Sequence, residues 1–282
     1  MEKFSNLRLD EERALYGLRG AEITGCVFDG PADGESALKE SRNIVVHNCD
    51  FRLRYPLWHV TEAEISDSTM SETCRAALWY DADISLERCK LRGIKALREC
   101  DRSSLNHCEI ESQEFGWFCR GIKIEDTALV SEYPFLQCRD MELKNFRLTG
   151  KYSFQYVENA VIRDSFLDTK DAFWHSKNVT VFDSVVKGEY LAWYSENLRL
   201  VRCKIIGTQP LCYAKNLVLE DCEMEGADLS FEYSEVTATV KGSIDSVKNP
   251  VCGRIEADRI GEVIQDSHQY PDSSCEIIVH NR

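Results

Sequence analysis

The sequence lacks any run of apolar residues long enough to cross a membrane, and its start, Met1-Glu-Lys-Phe-Ser-Asn6, has no apolar signal core. It also lacks basic character. The formal net charge is −14, which excludes a nucleic-acid partner built on clustered Lys and Arg and disfavours an anionic lipid surface. An anionic polysaccharide would need a local basic patch or a bridging cation. The familiar chemical motifs are missing too: there is no GxGxxG, Walker loop, HExxH, CxxC or GxSxG. No cofactor or metal site is therefore expected. Thirteen Cys residues occur without a leader, which points to reduced thiols and a cytoplasmic location. The sequon at Asn178-Val-Thr180 falls inside a repeat and is read as part of it.

What the sequence does have is a period. Blocks beginning at Asn159, Asn178, Asn197 and Asn216 recur every 19 residues. One apolar column runs Val46, Ile65, Leu86, Leu105, Ile124, Leu143, Ile162, Val181, Leu200, Leu219, with steps of 19 except one of 21. A second column lies two residues earlier (Ile44, Ala63, Ile84 and onward), and period-2 alternation of this kind reads as a short strand with one face buried. Three residues later comes a column of mostly small residues, including Cys49, Ser68, Cys89 and Cys108, followed by an apolar one, including Phe51, Met70 and Leu91. Gly150, Gly188, Gly207 and Gly226 sit between the halves of their blocks, suited to turns at positive φ.

A block this short holds two or three strands and stacks on its neighbour by coiling once. Each column then becomes a ladder of like side chains about 4.8 Å apart. The fold expected is all-β, a right-handed parallel β-helix of the pectin-lyase-like kind. A leucine-rich repeat is the competitor, because Leu198-x-Leu200-x-x-Cys203-x-Ile205 fits its strand. The rest of each block, such as Gly207-Thr-Gln-Pro-Leu-Cys-Tyr213, is too short and too rich in Pro and aromatics for a convex helix. A left-handed β-helix would show hexapeptide sub-periods, and none is present. One domain over 1–282 is expected, with a cap region at 1–34, coils over 35–264 and a tail over 265–282. Glu276-Ile-Ile-Val279 is a candidate last strand, and the repeat weakens after Cys222 through Ala238 and Ala257.

All five Trp residues (Trp58, Trp79, Trp117, Trp174, Trp193) share one repeat position. Strand alternation turns that position outward, so it reads as an aromatic stripe that stacks sugar rings or fills an interface, including one between copies of the chain. A charged column four residues earlier contains Glu132, Lys151, Lys170 and Glu189, beside Tyr133, Tyr152, Asp171 and Tyr190. Charge pairing along the ladder is the plain structural role. The sharper role is acid–base chemistry by Glu132, Asp171, Glu189 or His175. On that reading Lys151 and Lys170 lie side by side, one of them with a depressed pKa. Trp117, Tyr152, Trp174, Tyr190 and Trp193 are the candidate ligand contacts. The stacked Cys residues read as buried structural thiols, since a one-dimensional stack does not converge on a metal.

Long strings distributed over nearly the whole chain carry a family resemblance. They include Arg54-Tyr-Pro-Leu-Trp-His59, Gly150-Lys-Tyr-Ser-Phe-Gln-Tyr156, Asp168-Thr-Lys-Asp-Ala-Phe-Trp-His175 and Lys187-Gly-Glu-Tyr-Leu-Ala-Trp-Tyr194. The sequence resembles an uncharacterised bacterial family of pectin-lyase-like, single-stranded right-handed β-helix proteins. The resemblance implies the fold and a bacterial source. It implies no reaction, and it transfers no catalytic residue. Two function classes remain from the residues themselves. One is an interaction scaffold or binding protein, with a protein partner or a second copy on the aromatic stripe. The other is a carbohydrate-binding or carbohydrate-modifying protein, although the paired-Asp segments of polygalacturonase-like hydrolases are absent.

Overall fold

The computed structural model describes residues 1–32, 34–269 and 273–280. The fold is an all-β parallel solenoid whose coils are about 19 residues apart. The chain divides into two compact units, residues 1–142 and 143–282. Among the described residues, no helix is long and apolar enough to cross a membrane.

In the first unit the longer strand of each coil stacks in parallel on the next. Glu2–Ser5, Arg19–Thr24, Arg42–His47, Thr61–Ser66, Ala82–Glu87, Asp101–Asn106 and Lys123–Glu125 follow one another, with Phe4, Ile23, Val46, Ile65, Leu86, Leu105 and Ile124 in register. The apolar column read from the sequence is thus the hydrogen-bonding register itself. A second ladder of short strands carries Leu9, Phe28, Phe51, Met70, Leu91, Ile110 and Leu129. Regular pairing already begins at Glu2, inside the stretch expected as a cap. Like residues fill the core by stacking: the Phe28 and Phe51 rings lie 4.6 Å apart and 2° from parallel.

The second unit repeats this pattern through Glu158–Arg163, Lys177–Phe182, Glu196–Val201 and Leu217–Glu225, with Ile162, Val181, Leu200 and Leu219 in register. From Leu217 onward the two strands of each coil fuse, giving Glu235–Lys248 and Cys252–Ile264, with bulges after Leu219 and Val240. Ala238 faces Ile255, and Ala257 faces Val240 instead of continuing the Ala238 column, because a strand without a corner keeps no 19-residue step. Ser274–Val279 is the last described strand, paired in parallel with the segment from Cys252.

Several corners use a short polar side chain for a definite reason. At a corner the backbone N–H points along the stack and meets the side chain one coil later. Ser68 Oγ accepts from Cys49 N at 3.0 Å, Thr127 Oγ1 from Cys108 N at 3.0 Å, and Ser184 Oγ from Ser165 N at 2.9 Å. Cys fills the same columns as a small apolar residue with a weak S–H donor. All thirteen Cys are free, and eleven are buried. Burial pushes the thiols of Cys49 and Cys74 up to about 11 and about 12, so they stay protonated. Glycine is required where coils approach most closely: a Cβ on Gly188 would stand 1.6 Å from Thr169 O. Gly150, grouped with it by sequence, lies within the strand Arg147–Lys151 and is not among the positive-φ glycines.

The asparagine column has its own cause. Asn159, Asn178, Asn197 and Asn216 adopt φ of 60°, 53°, 56° and 49°, the left-handed region that Asn tolerates better than most residues. Their amides chain along the stack, Asn178 donating to Asn159, Asn197 to Asn178 and Asn216 to Asn197 at 3.1, 2.8 and 2.7 Å. Asn178→Ala loses two such bonds and places a Cβ-bearing residue without an amide at positive φ. The expected destabilisation is about 2–3 kcal/mol. Asn178→Gly, which accepts the backbone, recovers about half of it; equal losses for Ala and Gly in urea unfolding would refute the backbone contribution.

Candidate functional site

From Tyr152 to Tyr233 the third side of the coils is a turn in which every second residue is left-handed. In one coil these are Asp171, Phe173 and His175, at 54°, 62° and 53°, and in the next Tyr190, Ala192 and Tyr194, at 56°, 66° and 59°. Neighbouring coils on both sides hold the backbone this way. Phe173 N donates to Ser153 O of the preceding coil, while Asp171 N and His175 N donate to Glu189 O and Trp193 O of the following one. Bulky residues at positive φ are costly in isolation, and these inter-coil bonds offset that cost.

The turn breaks the two-residue alternation. Ala172 and Phe173 are both buried, Trp174 is half-buried and His175 is exposed. The Trp position therefore does not face outward as alternation predicts. Trp174 and Trp193 stack on each other at 5.7 Å and 8°. Their indole N–H groups donate to Tyr190 O at 2.8 Å and Gln209 O at 3.2 Å, which ties the turn to the coil that follows. The far side of Trp193 meets Tyr213, tilted at 5.3 Å.

The more exposed rings stand one residue later, Tyr156, His175 and Tyr194 exposed and Tyr213 partly buried. Tyr156, His175, Tyr194 and Tyr213 form a continuous stack with centroid spacings of 4.9, 5.1 and 4.9 Å. Tyr156 and Tyr194 are 48% and 49% exposed, yet His175 lies between two near-parallel rings, at 3° and 11°. The ring faces cover one another, so the surface presents ring edges and phenol hydroxyls. Sequence reasoning placed this column beside His175 but gave the ligand role to the Trp column. Exposure could have been assigned only by knowing that the turn is not a strand.

The charged candidates in this unit lie beside the stack. Lys151 and Lys170 are register partners, as expected. Lys170 pairs with Glu189 at 2.8 Å, and its ammonium lies 5.1 Å from the Tyr190 ring centre. A hydrogen bond from Lys170 to Glu189 raises the Lys170 pKa, and the charges of Glu189 and Asp171 reinforce it, so the expected depression does not occur there. Lys151 lies 5.9 Å from the ring centre of Tyr152. Asp171 takes a place that Tyr152 and Tyr190 hold on the adjacent coils, and it is buried to 6% exposure. Burial raises its carboxyl pKa; Lys170 opposes the shift and Glu189 reinforces it.

Glu132 and Trp117 belong to the first unit. Glu132 accepts from Gln113 Nε2 at 3.1 Å, and Trp117 Nε1 donates to Tyr133 O at 2.5 Å. The Trp column of that unit is interrupted by an arginine: Arg98 lies 5.3 Å from the Trp117 ring centre. Trp58 and Trp79 stack at 5.4 Å and 10°, and Lys39 lies 4.1 Å over Trp58. Here too cations and neighbouring rings occupy the indole faces. Among the described residues, no three His, Cys, Asp or Glu side chains converge on a point that could hold a metal ion.

A family model described as "protein of unknown function (DUF3737)" matches residues 2–278. No curated protein matches the chain. Similar solved structures include PfbA, a surface adhesin of Streptococcus pneumoniae, at 11% identity and a TM-score of 0.35, covering 92% of this chain and 69% of the adhesin chain. Another is the catalytic domain of a GH87 alpha-1,3-glucanase in complex with nigerose, at 9% identity and a TM-score of 0.40, covering 98% of this chain and 63% of that one. This chain thus spans less than two thirds of the glucanase domain.

Proposed function

The chain belongs to the DUF3737 family, and on that premise we propose that it is an interaction scaffold that binds another protein chain through the edge-on aromatic stack of its second unit. The observation that carries this reading is the mutual covering of the ring faces from Tyr156 to Tyr213. A sugar ring packs its C–H face on an open aromatic face, and this stack leaves none between its rungs. Tyrosine edges with outward hydroxyls suit a protein surface: they supply large, rigid, amphipathic contact area at a low entropy cost. A second copy of the chain is the first partner to test.

The test compares wild type with Tyr156→Ala/Tyr194→Ala by sedimentation velocity over a wide concentration range, and as baits for bacterial proteins. Both residues are about half exposed, so the double variant should fold with a melting temperature within a few degrees of wild type. A self-association or specific capture that weakens at least tenfold in the variant is the expected result. The proposal is overturned if wild type stays monomeric at every concentration and both baits capture the same proteins equally well.

A further inference from the structure

The first unit carries a concave site that the aromatic stack does not touch. A groove of about 520 Å³ crosses three coils, with Glu72 of the coil before them at one end, within the size range of small-ligand pockets. Its origin is legible in the repeat. One wall is the register column Arg92, Glu111, Val130, and the other is Ile94, Gln113, Glu132, two residues further along each coil. Between them the floor is Gly93, Ser112, Ser131, all small.

The floor is fully used by the fold. Ser112 Oγ donates to Ile94 O and Ser131 Oγ to Gln113 O, each at 3.1 Å, so both hydroxyls turn inward. Gly93 has φ of +123°, and a Cβ there would stand 3.1 Å from Arg75 O. The depression therefore persists because larger residues do not fit its floor.

The walls combine two kinds of group. Ile94 and Val130, 44% and 54% exposed, put apolar surface on the two walls. Opposite them stand planar polar groups fixed by one another. Arg92 contacts both Glu109 and Glu111, and Gln113 donates to Glu132. With Glu72, the lining sets three carboxylates against one guanidinium, so it offers preset donors and acceptors under a negative potential that repels anions. A ligand that fits has apolar C–H surface for Ile94 and Val130, several hydroxyls that donate to the carboxylates and accept from Arg92 and Gln113, and no negative charge. Two coil steps give the groove a length of about 10 Å, that of two pyranose rings.

We propose that this groove binds a neutral saccharide of about two rings. The site lies in the first unit and does not depend on the partner surface of the second. The experiment is titration calorimetry, supported by ligand-observed NMR. The probes are neutral gluco-, manno-, galacto- and xylo-configured disaccharides, with a uronate disaccharide as the charged comparison. The proteins are wild type, Gln113→Ala, Val130→Arg and Tyr194→Ala, with circular dichroism and melting used to check folding. At least one neutral disaccharide should bind wild type and Tyr194→Ala equally and both groove variants at least tenfold more weakly. The proposal fails if no neutral disaccharide binds at millimolar concentration or if only the uronate binds. It fails equally if folded groove variants bind like wild type, or if Tyr194→Ala removes the binding.

Discussion

Replacing Asp81 with serine should make the protein more stable, and the gain should grow with pH. Asp81 is fully enclosed, at 1% exposure, in a corner column that holds Ser41 in the same unit. Its Oδ1 accepts from Val60 N at 2.7 Å, the same task that Ser41 Oγ performs for Leu18 N at 3.2 Å. Its Oδ2 has no partner. A buried polar oxygen in that state costs about 1–3 kcal/mol. Burial, reinforced by the neighbouring Cys100, pushes the carboxyl well above the ordinary carboxylate range.

The sign follows from proton counting. The unfolded carboxyl loses its proton near pH ~3.9, whereas the buried one keeps it to a higher pH. Between those values the unfolded state binds fewer protons. Native stability then falls as pH rises, by about 1.4 kcal/mol per unit from this one group. Below both values the effect vanishes. Asp81→Ser should therefore raise the melting temperature most at pH 8 and least at pH 4, at about 2–4 °C per kcal/mol for a chain of this order of size. A variant less stable than wild type at pH 8, or a difference independent of pH, would show that Asp81 is compensated.

Phe173→Ala should produce the largest loss. Phe173 is 1% exposed and stacks on Phe154 at 4.9 Å and 8°. Truncation of an enclosed Phe typically costs about 3–5 kcal/mol, because the transfer energy is lost and a cavity remains. The cavity cannot collapse readily here, since the inter-coil bond from Phe173 N to Ser153 O at 2.9 Å holds the turn in place. In a solenoid each coil contacts only its neighbours, so the loss is local before it is global. Hydrogen exchange should show amides within about one coil of residue 173 losing protection first. Uniform loss of protection along the chain would contradict nearest-neighbour stacking, and a change below about 1 kcal/mol would contradict the tight packing.

Much of this architecture was legible in the residues. The column from Val46 to Ile124 is the observed strand register, because a coil that stacks on itself repeats each side-chain environment once per turn. The pairing of Lys170 with Glu189 follows from the same columns. The candidate site was less legible. Period-2 alternation, valid in the strands, does not hold in the turn, where alternate residues have positive φ, and it assigns exposure to Trp174 instead of His175. The burial of Asp81 escapes sequence reading for a related reason: a carboxylate in a serine column looks like one more polar corner residue until its second oxygen is seen to lack a partner.

The repeat alone thus determined the all-β solenoid, the residues that stack and the small floor column beneath the groove. These depend only on which residue types recur at which spacing. Tertiary structure decided which ring faces are covered, which ring edges are exposed, that the Lys170 pKa is raised and not depressed, and which carboxyl is enclosed. Each of those depends on the backbone of a turn whose handedness is set by hydrogen bonds to the coils on either side, and no spacing within a single coil encodes it.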